Sequence, residues 1–235
     1  MTQYNSNVYD NNTISFREFL NKVFSTMAIG LLISGVVAWF GSSFYLSIVM
    51  KFPAILIISV IAELVVGLYF SARLFKMEKA TAWTCYIIYS ILTGLSLSLI
   101  IRTYTTGTVV FAFISTVILF ACMSVIGHTT KIDLTRFGSL IMVGLVAIMI
   151  TSLLNLLLFK SEMLNYTMTV VGVLIFLLLI AYDMQRLRDI FDRGSKNAYV
   201  QDRTVLYGAF SLYLDFINLF LRLLQIFGRR SNNRD

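Results

Sequence analysis

Of 235 residues, 58% are hydrophobic and only 13% are charged, with a mean hydropathy of +0.81, far from the roughly 25% charged composition of soluble domains. This excludes a water-soluble globular body and leaves a single membrane domain, because apolar spans of about 20 residues joined by short connectors leave no segment for a separate soluble unit. The net charge of +7 does not point to nucleic acid, since the lysines and arginines sit mostly in short loops beside apolar spans, where they set topology.

Residues 1–18 form a polar, Asn-rich segment with no charged-then-apolar start and no small-residue cleavage site, so the first span is expected to remain an uncleaved anchor. Residues 19–228 are predicted to form a seven-helix bundle, followed by a basic tail at 229–235. Segment one, Phe19 to Phe40, places Gly30 and Ser34 four apart as a face for close helix packing, and Gly41-Ser42-Ser43 is predicted to end it. Segment two, about Phe52 to Ala72, carries the only proline, Pro53, in its first turn, where no backbone donor is needed. Glu63 lies inside this segment, and Arg73, Lys76 and Lys79 follow in a basic loop.

Segment three, about Ala82 to Ile101, has no charge, only Thr, Ser and Gly that can hydrogen-bond or pack against neighbours. Segment four runs from Gly107 to Gly127 and leads into a polar loop holding the single histidine, His128. Segment five, Gly138 to Phe159, has Asn155 near one end. Segment six, about Met168 to Tyr182, is almost wholly aliphatic until Asp183, where the hydrophobic run stops. Segment seven, Gly208 to Gly228, is long enough to cross a bilayer yet carries Asp215 near its middle and Asn218 almost one turn later.

Lysines and arginines in alternate loops outnumber those on the opposite side, which assigns the N-terminus to the cytoplasm. Seven full crossings would put Arg229, Arg230 and Arg234 outside, against that bias. A complete last crossing is nevertheless preferred to a re-entrant element shielded by protein, because C-terminal charges do not always decide topology.

An aspartate at mid-helix costs ~2.5–3.5 kcal/mol, which about six Leu or Phe residues at ~0.3–0.6 kcal/mol each can offset. Asp215 must then face other helices or water. The loop between segments six and seven makes them antiparallel neighbours, so Asp183 and Asp215 can approach in depth. Two carboxylates in one low-dielectric pocket cannot both ionise comfortably and would titrate as a pair, which makes a gate with pH as its input.

A plainer reading pairs each acid with an arginine to lock the bundle. Arg73 stands at the end of segment two, and Arg222, seven residues beyond Asp215 and on nearly the same face, is available to Glu63. For Glu63 this structural pairing is the stronger reading, whereas an intramembrane acid such as Asp215 is by default a functional candidate. Taken alone, Asp183 reads as a solvated end-of-helix charge, as do Asp189 and Asp192 with Arg186, Arg188 and Arg193.

Enzyme chemistry lacks its parts. Cys85 and Cys122 lie inside apolar segments without a CxxC pattern and read as packing residues. There is no HExxH, GxSxG elbow or P-loop, and segment seven offers no lysine for a Schiff base. An aspartic dyad for intramembrane proteolysis is a weak alternative. No enzyme activity and no tightly bound cofactor are expected.

Four stretches carry a resemblance that covers nearly the whole chain: FLNKVFSTMAIGLLISG in segment one, ELVVGLYFSAR ending segment two, AYDMQRLRDIF after segment six and SLYLDFINLFLRLLQIFG in segment seven. The sequence resembles the bacterial branch of the Bax inhibitor-1 family, the transmembrane Bax inhibitor motif proteins. The resemblance implies an all-α integral membrane fold of seven transmembrane helices with the C-terminal helix central, in a bacterial plasma membrane. It also implies a pH-sensitive calcium leak in which Asp183 and Asp215 form the sensing pair, Arg73 is linked to that pair, and Glu63 lies near the pore. The family often has an arginine where this chain has Gln225, with Arg222 one turn earlier, so pairing of Glu63 with Arg222 depends on helix rotation.

Calcium is then the transported ion, held transiently by Asp183 and Asp215. It takes six to eight oxygens, and two carboxylates offer at most four, so water or backbone carbonyls must complete the shell and protons should compete with the cation. The partners implied are the lipid bilayer, calcium and protons. The rival reading is a regulatory protein that binds a membrane protease or a stress or cell-death factor.

Overall fold

The computed structural model describes residues 15–193 and 198–232. Seven long helices follow in order: α1 (Phe16–Lys51), α2 (Ala54–Arg73), α3 (Lys79–Ile101), α4 (Thr106–Thr129), α5 (Gly138–Leu154), α6 (Glu162–Arg193) and α7 (Ala198–Asn232). Each, α5 together with the short helical turns that flank it from Leu134 to Phe159, is long and apolar enough to cross a membrane, and no strand occurs among the described residues. With alternating crossings, the N-terminal ends of α1, α3, α5 and α7 share one end of the bundle with the C-terminal ends of α2, α4 and α6. That end holds most of the lysines and arginines and is called the basic end below.

α1 begins at a capping box, in which the Glu18 amide donates to Ser15 Oγ at 3.2 Å and the Ser15 amide donates to Glu18 Oε2 at 2.9 Å, satisfying two otherwise orphaned donors. It does not end at Gly41-Ser42-Ser43 as the sequence predicts. Ser42 and Ser47 instead donate to the carbonyls of Trp39 and Ser43 at 3.0 and 2.9 Å, so these hydroxyls are satisfied inside a continuing helix. The helix stops at Phe52, because the residue before a proline is disfavoured in the α region; its φ and ψ are −135° and 81°. Pro53 then opens α2, where its missing N–H costs nothing.

α6 also outruns its apolar run, continuing eleven residues past Tyr182 to Arg193. α5 closes in a π-helical turn over Asn155–Phe159. Asn155 fastens this turn to α6, accepting from the Ser161 amide at 2.9 Å and donating to the Ser161 carbonyl at 3.1 Å.

α7 is the axis of the bundle. In its apolar window 67% of residues are buried, against 39% or less in every other span, and it packs against α1, α3, α4 and α6. A helix apolar on all sides must be surrounded, and Leu206, Ala209, Leu212, Tyr213, Leu219 and Leu224 are buried all round it. It runs unbroken, which leaves no turn for a re-entrant hairpin. α2 lies outside against α3, and α5 outside against α6.

Small residues set the closest contacts. A Cβ on Gly30 would come within 2.2 Å of the Tyr86 hydroxyl, and Ser34 Oγ donates to the Ser90 carbonyl at 2.7 Å, so the face predicted from Gly30 and Ser34 is the α1–α3 seam. At Gly127 a Cβ would stand 2.4 Å from the Ala181 carbonyl oxygen, fixing α4 against α6. Of the two cysteines expected to be packing residues, Cys85 is half-buried at the core margin. Cys122 is exposed, because its side of α4 faces outward.

Candidate functional site: a buried acidic pair

The sixth and seventh helices bring Asp183 and Asp215 together. Asp183 is 5% exposed and Asp215 3%. The expectation that Asp183, on its own, is a solvated helix-end charge is overturned, because α6 continues as a helix and keeps Ile180, Met184 and Leu187 turned inward with it. On α7, Ser211 and Asp215 are one turn apart on one face. Ser211 Oγ donates to Asp183 Oδ2, and Asp183 lies within electrostatic reach of Asp215. Asp215 Oδ2 is buried and has no hydrogen-bond partner among the described residues.

On the basic-end side the pair is capped. Arg186, three residues after Asp183, acts electrostatically on it and places its guanidinium carbon 5.4 Å from the centroid of the Tyr207 ring, a cation–π contact. Tyr207 in turn lies within reach of both aspartates. The structure does not bring Arg73 to the pair: it is exposed at the end of α2 and forms no ion pair among the described residues. Asp189 and Asp192 do form exposed pairs one turn away, with Arg193 at 3.7 Å and Arg188 at 4.0 Å.

Glu63 takes hydroxyls rather than an arginine. It accepts from Thr93 Oγ1 at 2.8 Å and Ser96 Oγ at 2.6 Å, both on α3, against which α2 packs. Tyr213 carries this polar cluster inward, its hydroxyl 2.6 Å from Ser34 Oγ and within reach of Thr93 and Glu63. The arginine pairing of Glu63 fails because Arg222 lies elsewhere on α7, with its Nε only 3.1 Å from where a Cβ on Gly172 of α6 would stand.

Arg222 and Asn218 line a polar cavity of about 600 Å³ together with Asn155, Lys160, Glu162 and Gln225, at the end opposite the basic end. Asn218 Nδ2 donates back to the Leu214 carbonyl at 2.8 Å, and Gln225 Oε1 accepts from Thr169 at 3.1 Å. The cavity ends near Asn218, about 4.5 Å of helix rise from Asp215 at 1.5 Å per residue.

Chemically, the pair can share a proton or present carboxylate oxygens to a cation. Its own donors are two carboxylates and the Ser211 hydroxyl, and no third His, Cys, Asp or Glu joins them among the described residues. A divalent ion there would therefore keep most of its water. Sequence reasoning missed Ser211 and Tyr207 and read Arg186 as a solvated helix-end charge, which its place beside Asp183 and over Tyr207 corrects; a serine four residues before Asp215 and an arginine three after Asp183 are the helical spacings at which side chains meet.

These features define a polytopic α-helical membrane protein wound around a central C-terminal helix, with an acidic pair buried against it. Over residues 16–232 the sequence matches the family described as "Inhibitor of apoptosis-promoting Bax1". It is 37% identical over 215 residues to inner membrane protein YbhL of Escherichia coli K12, covering 90% of this chain and 92% of YbhL. An uncharacterised protein of Borreliella burgdorferi is 40% identical over 224 residues, 92% of this chain and 94% of that one. An uncharacterised membrane protein of Streptococcus pyogenes serotype M1 is 35% identical over 227 residues, 94% and 97% of the two chains. The chain belongs to the Bax inhibitor-1 family.

Proposed function

We propose that this protein is a passive calcium leak of a bacterial plasma membrane, regulated by pH through Asp183 and Asp215, with no enzymatic activity. The observation that carries the reading is the Asp215 oxygen buried without a hydrogen-bond donor beside a second buried carboxylate. Buried polar atoms are nearly always satisfied, and an intramembrane acid left over marks a functional site. With one proton between them the aspartates are joined across the α6–α7 seam. When both ionise they repel, the seam loosens at their level, and the freed oxygens replace part of the water shell of a passing calcium ion.

The polar cavity at Asn218 and Arg222 is the approach from the far side, and Arg186 over Tyr207 is the barrier on the basic side. The excess of lysine and arginine at the basic end supports a cytoplasmic N-terminus. Glu63, held by hydroxyls on the flank of α7, braces the bundle beside the route.

The test is calcium release from loaded liposomes containing the purified protein, between about pH 6 and pH 8. Wild type should release calcium at a pH-dependent rate, and Asp215→Asn should release it at a rate that no longer follows pH. Absence of flux in both proteins at every pH would contradict the proposal and favour a regulatory protein that binds a membrane protease or a stress or cell-death partner.

A further inference from the structure

The polar cavity between the ends of α5, α6 and α7 has spent its acceptors and kept its donors. Asn155 uses both of its side-chain groups on Ser161, accepting from the amide at 2.9 Å and donating to the carbonyl at 3.1 Å. The Asn155 carbonyl accepts from the Lys160 amide at 2.7 Å. The Ser161 hydroxyl accepts from the Leu164 amide at 3.3 Å, and Gln225 Oε1 accepts from Thr169 Oγ1 at 3.1 Å. These bonds leave over the Gln225 amide nitrogen, the Lys160 ammonium and the Arg222 guanidinium, all on the cavity wall. Such a wall calls for a ligand that accepts.

Arg222 narrows the choice. It is half-buried, yet it joins no ion pair among the described residues, whereas Asp133, Asp189, Asp192 and Asp202 each have a basic partner there. Charges withdrawn from water are ordinarily paired, and an ionisable side chain kept inside a membrane bundle without a partner marks a ligand or ion route. Gly172 makes the place for it: a Cβ there would stand 3.1 Å from Arg222 Nε and 3.3 Å from its Cδ, so only a glycine lets the guanidinium stem lie this close to α6.

Two further features favour negative charge. Lys160 brings a second cation to the rim on a left-handed backbone, φ 48° and ψ 32°, which residues other than glycine seldom adopt. The first turn of α6, through Ser161, Glu162 and Asn165, forms another side of the cavity, and a helix N-terminus attracts anions. Glu162 is the one acid among the described lining residues and has interactions of its own. Two cations against one acid match a single negative charge, and a dianion would set its second charge against Glu162. A planar carboxylate fits the fork of a guanidinium. Leu221 is the one apolar residue among those described on the wall, so the remainder of the ligand is polar rather than an acyl chain. A volume of about 600 Å³ lies in the range of small-molecule sites.

We propose that this cavity binds a small polar monocarboxylate, with its carboxylate on Arg222, the Gln225 amide donating to it and Lys160 closing the rim. A carboxylate seated there offsets the positive charge that calcium meets on the far-side approach, but its binding does not depend on transport.

The test is saturation-transfer NMR of L-lactate with the full chain in phosphatidylcholine nanodiscs, titrated against empty nanodiscs and with no calcium present, so that its outcome is separate from that of the flux assay. L-lactate should bind saturably, and the neutral lactamide at least about tenfold more weakly, as should inorganic phosphate. Arg222→Gln should weaken lactate binding about tenfold or more, the effect of losing hydrogen bonds to a charged group, and Lys160→Gln a few-fold. If Arg222→Gln does not purify as a monodisperse protein, Arg222→Lys, which keeps the charge without the fork, should still weaken binding several-fold. Absence of saturable lactate binding, equal binding of lactate and lactamide, tighter binding of phosphate, or affinity indifferent to the Arg222 and Lys160 variants would overturn the site.

Discussion

Replacing Asp215 by asparagine should make this protein more stable, not less. The side chain keeps its shape, but one carboxylate oxygen becomes an NH2 that can donate to Asp183, and the like charge is removed. In the wild type the buried Asp215 Oδ2 has no partner among the described residues, and leaving a buried acceptor unsatisfied costs about 1–3 kcal/mol. The variant should gain about that amount near neutral pH. The gain should shrink as pH falls, because a protonated wild-type pair supplies its own donor.

Asp183→Asn should gain less, since Asp183 already accepts from Ser211. The double variant should depart from additivity by about 0.5–3 kcal/mol, as expected for residues in one electrostatic network. Reversible denaturant unfolding in mixed lipid–detergent micelles across a pH series measures all three. A loss of stability above about 1 kcal/mol in Asp215→Asn, or a difference from wild type that is the same at every pH, would refute the reasoning.

At the α4–α6 crossing, Gly127→Val puts a side chain 2.4 Å or less from the Ala181 carbonyl, where only backbone could yield. The cost should reach or exceed about 1–3 kcal/mol, while Gly107→Ala, with nothing within 4 Å of the new Cβ, should be near neutral in the same unfolding assay. Because Glu63 is held by Thr93 and Ser96 and not by Arg222, the effects of Glu63→Gln and Arg222→Gln should add within about 0.5 kcal/mol; a larger coupling would restore the ion pair. Asp133, in the loop between α4 and α5, is held below the usual carboxylate range by the Thr135 hydroxyl first, then by Arg136 and the Thr135 amide. Its lowered value means that its contribution to stability is present above the unfolded-state value and is lost as pH falls through the folded one. A carboxyl NMR titration should therefore show Asp133 protonating below an ordinary aspartate, with Thr135→Val moving its midpoint upward.

Hydropathy and helix packing were legible in the sequence to different depths. Seven spans follow from apolar runs, and an aspartate that cannot face lipid turns the last helix toward its neighbours or water, whereas its central place rested on the family resemblance alone. The ends of the helices were harder to read. Gly41-Ser42-Ser43 looks like a terminus, but serine hydroxyls can bond to the helix that carries them. Asp183 looks like a boundary because the charges after it lower the hydropathy, although a helix can leave the membrane without ending.

Partners across helices were legible only where small residues announced them, as at Gly30 and Ser34. The hydroxyls that hold Glu63 lie 30 and 33 residues away on one face of α3, and nothing in their spacing distinguishes them from an arginine as its partner. Arg186 over Tyr207 joins two helices across a loop, so its pairing required the fold. The local half of it, an arginine three residues after Asp183, stood in the sequence but reads there as a solvated helix-end charge.

The most direct measurement of the central claim is infrared difference spectroscopy on the reconstituted protein, following the C=O band of protonated aspartate during pH steps and calcium addition. A band lost in both Asp183→Asn and Asp215→Asn should appear in wild type in acid, and at fixed pH it should weaken when calcium is added, because proton and cation occupy the same oxygens. A band unchanged by calcium, or one that survives in both single variants, would contradict the account.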